Sequence, residues 1–114
     1  MKRFNTYTTT KLAGVSYGGA QANIKRHGRK GMSLELRRER HNPHDPNAIK
    51  VMVADCFLGY IPKPLAGKLA LAIDAGRQFE ASFVCQNRSP YHAVVGLTIR
   101  ITEIGEDAYN RLFF

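Results

Sequence analysis

Met32-Ser33-Leu34-Glu35-Leu36-Arg37-Arg38-Glu39-Arg40-His41-Asn42-Pro43-His44-Asp45-Pro46-Asn47-Ala48-Ile49-Lys50-Val51-Met52-Val53 reads as a strand, a rigid turn and a second strand. Met32, Leu34 and Leu36 alternate with Ser33, Glu35 and Arg37. Ile49, Val51 and Val53 alternate with Lys50 and Met52, the period-two pattern of half-buried strands. Between them, Pro43 and Pro46 each hold φ at about −65° and remove a backbone donor, and each pushes its predecessor, Asn42 or Asp45, out of the helical region. The strands are expected to pair as a hairpin. Its tip presents a carboxylate, amides and imidazoles on a stiff, extended loop, which makes it the candidate working end.

Outward from this hairpin the chain alternates short strand signals with turns. Residues 7–17, rich in Thr and Val and closed by Gly18-Gly19, are expected to form a first strand. Residues 20–31 carry Lys25, Arg26, His27, Arg29 and Lys30 with two glycines and few apolar side chains, and read as an exposed, mobile, basic loop. A further strand is expected over 56–61. Leu65, Leu69 and Ile73 then recur at helical spacing, with Pro64 suited to a first turn and Gly76 to the C-terminal side, predicting a helix over 65–75. Phe79, Ala81, Phe83 and Cys85 alternate with polar neighbours, and Val95, Leu97, Ile99 and Ile101 do so again after a loop over 87–91. Residues 105–114 are expected to add a helical turn, with Leu112, Phe113 and Phe114 as an apolar lid. Five or six strands with one or two helices make the chain mainly β. A small antiparallel β-barrel, closed or half-closed, removes exposed sheet edges; an open sheet covered by the helix satisfies the same pattern.

Length and charge narrow the function classes. At 114 residues the chain is expected to be one domain spanning 1–114, long enough to hold a core without staples. Its net charge is +8, and ten of its 17 Lys and Arg residues fall within the first 40 positions. Such a basic field favours phosphate-rich partners, nucleic acid first and anionic membrane second. The cysteines, Cys56 and Cys85, belong to no paired spacing and read as small buried hydrophobes in a reduced compartment. No apolar run approaches the roughly 18 residues of a membrane span, and no apolar signal core follows Met1-Lys2-Arg3. The expectation is a soluble, cytoplasmic protein without membrane contact.

Three blocks, Leu12-Ala13-Gly14-Val15-Ser16-Tyr17, then Arg38 through Val51, then Leu58-Gly59-Tyr60-Ile61-Pro62-Lys63-Pro64-Leu65-Ala66, together resemble the HIRAN domain in order and spacing, over about residues 10–104. The resemblance implies an OB-like β-barrel, a type attached to helicase or nuclease domains and also found alone in bacterial and phage proteins, as this chain would be. It implies recognition of single-stranded DNA, with capture of an unpaired 3′ end, in DNA repair, replication or phage DNA metabolism, near the nucleoid in a bacterium. Carried over residue by residue, Tyr17 stacks on a base, Asn42 and Asp45 read the terminal sugar hydroxyl, and Lys63 meets a backbone phosphate. Tyr60 stands where a DNA-binding member has histidine. Ser16 stands where that member has arginine within a pair of aromatics, and His44 where it has an aromatic, so one phosphate contact and one stacking face are missing. The partners implied are single-stranded DNA or DNA ends and a helicase or nuclease protein.

Each of these residues also has a plainer reading. Asp45, Asn42 and Asn47 can cap the turn through backbone amides, and Tyr17 or Tyr60 can be a barrel tyrosine with a wet hydroxyl. His41-x-x-His44-Asp45 has metal-ligand chemistry, but no further His or Cys completes four-coordination, so no metal and no cofactor is expected. His27 and His92 read as solvated loop residues. Acidic residues are few and scattered, and there is no phosphate-cradling Gly-Lys-Ser/Thr loop, so a non-catalytic binding module is expected. A protein-interaction module on the same fold, and a single-stranded RNA binder, are the alternatives.

Overall fold

The computed structural model describes residues 7–104, in the order β1 (Tyr7–Lys11), α1 (Ala20–His27), β2 (Ser33–Arg38), β3 (Ile49–Val53), β4 (Cys56–Tyr60), α2 (Lys63–Asp74), β5 (Gln78–Ser89) and β6 (His92–Ile104). The hairpin read from the sequence is present: β2 pairs antiparallel with β3, Leu36 opposite Val51 and Arg38 opposite Ile49, with the proline loop between them. The strands run in the order β1-β6-β5-β2-β3-β4, antiparallel throughout.

The two edges of this sheet approach one another. Just beyond β1, Ala13 crosses to Tyr60 at the end of β4, and the two residues exchange N–H···O bonds of 2.8 Å each. The sheet is thus an OB-like half-barrel pinned shut by one antiparallel bridge, which hides part of the edge that an open sheet would expose. Gly59 permits the pin. A Cβ there would stand 2.9 Å from the Ala13 carbonyl oxygen, so a side chain would force the edges apart.

Ile49, Val51, Leu58, Leu97 and Ile99 fill the interior, and Ile24 of α1 joins them, all effectively without solvent contact. Helix α2 adds Ala66, Leu69 and Ala70 to the core, with Pro64 in its first turn, where a missing N–H costs nothing.

Several expectations are corrected. Strand β1 ends at Lys11, not Tyr17: Leu12 N–H still bonds to Leu97 O, but Ala13 crosses to Tyr60 and the chain then turns over residues 15–19. Residues 20–27 are helical, not a loop. Only Ala20 and Ile24, one turn apart, are buried there, so the basic outer face dominates the composition and conceals the helix. Gln21 and Asn23 tie α1 down: Gln21 Nε2 donates to Val15 O and Val95 O, and Asn23 Nδ2 donates to Phe57 O at 2.8 Å. The loop expected over 87–91 is a two-residue turn, Pro90-Tyr91, between strands of 12 and 13 residues.

Bulges account for two reversed side chains. A register shift between Val51 and Met52 turns Met52 inward, leaving Val53 half-buried. Another between Phe83 and Cys85 turns Cys85 out to solvent, where its Sγ approaches Asn87 Oδ1, and Cys56 is half-buried, so neither thiol is a core residue. His27 ends α1 with its Nε2 buried and without a hydrogen-bond partner among the described residues, whereas His92 is exposed at the start of β6. The helical turn and apolar lid expected over 105–114 lie outside the described residues. Among the described residues no helix is long and apolar enough to cross a membrane.

Candidate nucleic-acid interface

The proline loop is held by its own side chains. Asn42 Oδ1 accepts from the backbone N–H groups of His44 at 2.8 Å and Asp45 at 3.0 Å, while its Nδ2 donates to Glu39 Oε1 at 2.8 Å. Among the described residues, three of the four hydrogen-bonding positions of this amide are therefore filled and one N–H is left over. Asp45 Oδ1 accepts from Asn47 N–H at 2.9 Å, the turn cap that its residue type favours. Its second oxygen, Oδ2, accepts from no group among the described residues. His44 and Asn47 are exposed, and Asp45 is half-buried.

Glu39, the residue after β2, joins this loop to the rest of the patch. Besides Asn42 it accepts from the Tyr60 hydroxyl at 2.9 Å and pairs with Lys50 Nζ at 2.9 Å. Burial pushes its carboxyl up, but the donors Asn42, Lys50 and Tyr60 together outweigh burial and leave it below the ordinary carboxylate value. Tyr60 is pushed the other way, first by burial and then by the Glu39 carboxylate, so its phenol stays a neutral donor. Arg38, whose side chain is only 8% exposed, anchors the loop from beneath: Nη1 donates to Pro46 O and Ala48 O, and the guanidinium forks onto Asp74 at the end of α2. Arg40 also reaches Asp74, at 2.8 Å. Hydrogen bonds from Arg38 and then Arg40, against some burial, lower the Asp74 carboxyl to about 2.

The aromatic half of the patch surrounds Gly14. A Cβ placed on Gly14 would come within 3.2 Å of the Tyr60 ring and 3.6 Å of the Tyr17 ring. Phe57 meets Tyr60 edge-on, with ring centroids 5.2 Å apart, and backs the turn at Gly18. Tyr17 is 70% exposed, with Ser16 exposed beside it. The structure thus joins Tyr17, Tyr60, Asn42, His44 and Asp45 into one continuous patch running through Glu39. Lys63, exposed, opens α2 three residues beyond Tyr60. Glu39 and Arg38 were not singled out by sequence reading, because their role depends on which loop atoms the β2–β3 register sets opposite them. Among the described residues no three His, Cys, Asp or Glu side chains are grouped to hold a metal ion.

Comparison with known proteins places these features in a family. The HIRAN domain family model matches residues 6–102. The fold resembles the HIRAN domain of human HLTF (TM-score 0.68, 23% identity, 96% of this chain and 88% of that one). It also resembles a protein from Lactobacillus plantarum (TM-score 0.66, 25% identity, 87% and 98%) and the HLTF HIRAN domain in its DNA-bound conformation (TM-score 0.58, 25% identity, 93% and 84%). No curated protein matches the chain. With most of its length under that family model and the half-barrel on the page, this chain belongs to the HIRAN domain family.

Proposed function

We propose that this domain binds single-stranded DNA and prefers a strand that ends in a free 3′-hydroxyl. The observation that carries the reading is the patch itself: the exposed Tyr17 face is linked through Tyr60 and Glu39 to a loop whose Asp45 keeps one carboxylate oxygen without a hydrogen-bond donor among the described residues. In this reading the terminal base stacks on Tyr17, which contributes about 1–3 kcal/mol, and His44 offers a second, smaller face. The terminal 3′-hydroxyl donates to Asp45 Oδ2. An internal nucleotide is esterified at that oxygen and has no proton to give, so selectivity for the end follows from chemistry. Lys63 meets a backbone phosphate, and Ser16 lines the same face without supplying the phosphate contact that an arginine would make. Glu39 acts without touching DNA, by fixing the loop and the Tyr60 ring, while Asn42 holds the loop through Oδ1 and offers its remaining N–H to the terminal sugar. The domain carries out no chemistry itself and serves a helicase or nuclease partner in DNA repair, replication or phage DNA metabolism.

The related HLTF domain in its DNA-bound conformation supports this class of ligand. A hydrogen bond to a charged acceptor is worth about 1.5–3 kcal/mol, so the free end should be preferred about tenfold or more. Asp45→Asn tests the assignment, because its amide oxygen still caps Asn47 while an NH2 group replaces the acceptor. The variant should fold normally and lose most of the preference for a free over a phosphorylated 3′ end. Lys63→Ala should instead weaken both ligands alike. An Asp45→Asn protein that keeps the full preference would remove Asp45 from its assigned role.

A further inference from the structure

Helix α2 turns one face to the core and leaves the opposite one uncovered. Ala66, Leu69 and Ala70 are its buried residues. At about 100° per residue, Pro64, Gly67, Lys68 and Leu71, with Ala75 just beyond the helix, fall together on the side away from them. Leu71 is 75% exposed, Pro64, Lys68 and Ala75 are exposed, and a Cβ added to Gly67 would meet nothing within 4 Å. The face is a strip of apolar and small groups beside one ammonium, and Lys68 has no carboxylate partner among the described residues. Such a strip suits a second apolar element at close range, because Gly67 lets a neighbour approach the helix backbone.

The chain itself delivers a segment to this face. Strand β6 ends at Ile104 opposite Gln78, the first residue of β5, which sets the two Cα atoms about 5 Å apart. Only Ala75, Gly76 and Arg77 separate Gln78 from α2. Arg77 N–H bonds back to Ala72 O, and the Arg77 guanidinium forks onto Glu103. The chain therefore leaves β6 beside the C-terminal end of α2. Residues 105–114, outside the described ones, begin with Gly105, Glu106 and Asp107, and at helical spacing Tyr109, Leu112 and Phe113 then share one side. Three extended residues followed by seven helical ones cover about 20 Å, the same as the rise along α2 from its C-terminal end back to Pro64. Running back along α2, the segment brings its carboxylates within reach of the flexible Lys68 stem and its apolar side onto Leu71 and Gly67. Length, point of departure, charge and apolar spacing all fit the strip.

We infer that residues 105–114 dock on the outer face of α2, with Tyr109, Leu112 and Phe113 covering Leu71 and Gly67 while Glu106 and Asp107 pair with Lys68. The test is hydrogen exchange of the full chain followed by mass spectrometry, with a synthetic peptide of residues 105–114 as the unprotected reference. No nucleic acid enters it, so its outcome is separate from the end-binding reading. In the wild type the amides of this segment should exchange about tenfold or more slowly than in the peptide. Leu71→Gln keeps a good helix former at an exposed position, so the domain should fold normally, and the segment should exchange at the peptide's rate while β5 and β6 keep theirs. Lys68→Glu should release the segment in the same way, and combining it with Glu106→Lys and Asp107→Lys should restore protection. A wild-type segment that exchanges like the peptide, or protection that survives Leu71→Gln or Lys68→Glu, would overturn the docking. Sedimentation velocity should show a monomer; a dimer that Leu71→Gln dissociates would assign the face to a second copy instead and overturn it equally.

Discussion

Glu39 has acceptor contacts with an amide, a phenol and an ammonium group, and its carboxyl sits below the ordinary value because those donors outweigh burial. A folded-state value below the unfolded one means stabilisation that is full above the ordinary carboxylate range and lost as pH falls through the folded value. Glu39→Gln leaves the Lys50 ammonium without its partner and should lower stability by about 1 kcal/mol, or about 4 °C in Tm for a domain of this size. Thermal unfolding at neutral pH checks it, and a Tm equal to wild type would contradict the linking role given to this residue. Asp74 obeys the same sign. Its value is lowered from 3.8 to about 2 by Arg38 and then Arg40, so its contribution fades as pH falls from 3.8 toward 2. Asp74→Asn should therefore flatten the acid limb of the stability profile in that window, measured by denaturant titration at successive pH values. The chemistry of the proline loop was legible from residue types alone: Asn42 and Asp45 make the turn contacts that amides and carboxylates favour. The partners of Glu39 and Arg38 were not, since both reach atoms that only the folded register brings near.

The elements that could be read in advance are those whose pattern is local. The β2–β3 hairpin carries its own alternation and its own prolines, and α2 has apolar residues at helical spacing behind a first-turn proline. Helix α1 lacks such a pattern, since it buries only Ala20 and Ile24 and is fixed by side-chain bonds from Gln21 and Asn23 to other elements. A helix of eight residues has little stability alone. Ile24→Ala should therefore cost about 2–4 kcal/mol, through the cavity it leaves in the core, and lower the Tm measured by circular dichroism. The seam of the half-barrel was equally hidden, because one bridge between Ala13 and Tyr60 joins residues far apart in the chain. Gly59→Ala drives a methyl group into the Ala13 carbonyl. It should destabilise by about 1–3 kcal/mol and speed hydrogen exchange at the amides of Ala13 and Tyr60, while exchange at α2 changes far less. Uniform acceleration across the domain would argue against a local seam.

Across the whole molecule the net charge of +8 divides into two kinds of cation. Arg37, Arg38, Arg40, Lys50 and Arg77 are spent on carboxylates within the fold. Lys25, Arg26, Arg29 and Lys30, on and after α1, and Lys63 and Lys68 on α2 are exposed and have no carboxylate partner among the described residues. Much of the field available to a polyanion among the described residues thus comes from α1, the segment after it, and α2. Affinity for single-stranded DNA should fall with salt by about 0.7 log units per log unit of salt for each phosphate engaged. Lys63→Ala should reduce that slope by about one contact, as anisotropy titrations at several ionic strengths would show. The central claim is that a free strand end, and not charge alone, is what the domain recognises. Its most direct test is fluorescence anisotropy with two oligonucleotides of one sequence, ending in a 3′-hydroxyl or a 3′-phosphate, at low and at physiological salt. The account predicts tighter binding of the hydroxyl end at both salts, with the ratio between the two ends surviving even as both affinities fall. Equal affinities that vanish together as salt rises would contradict it.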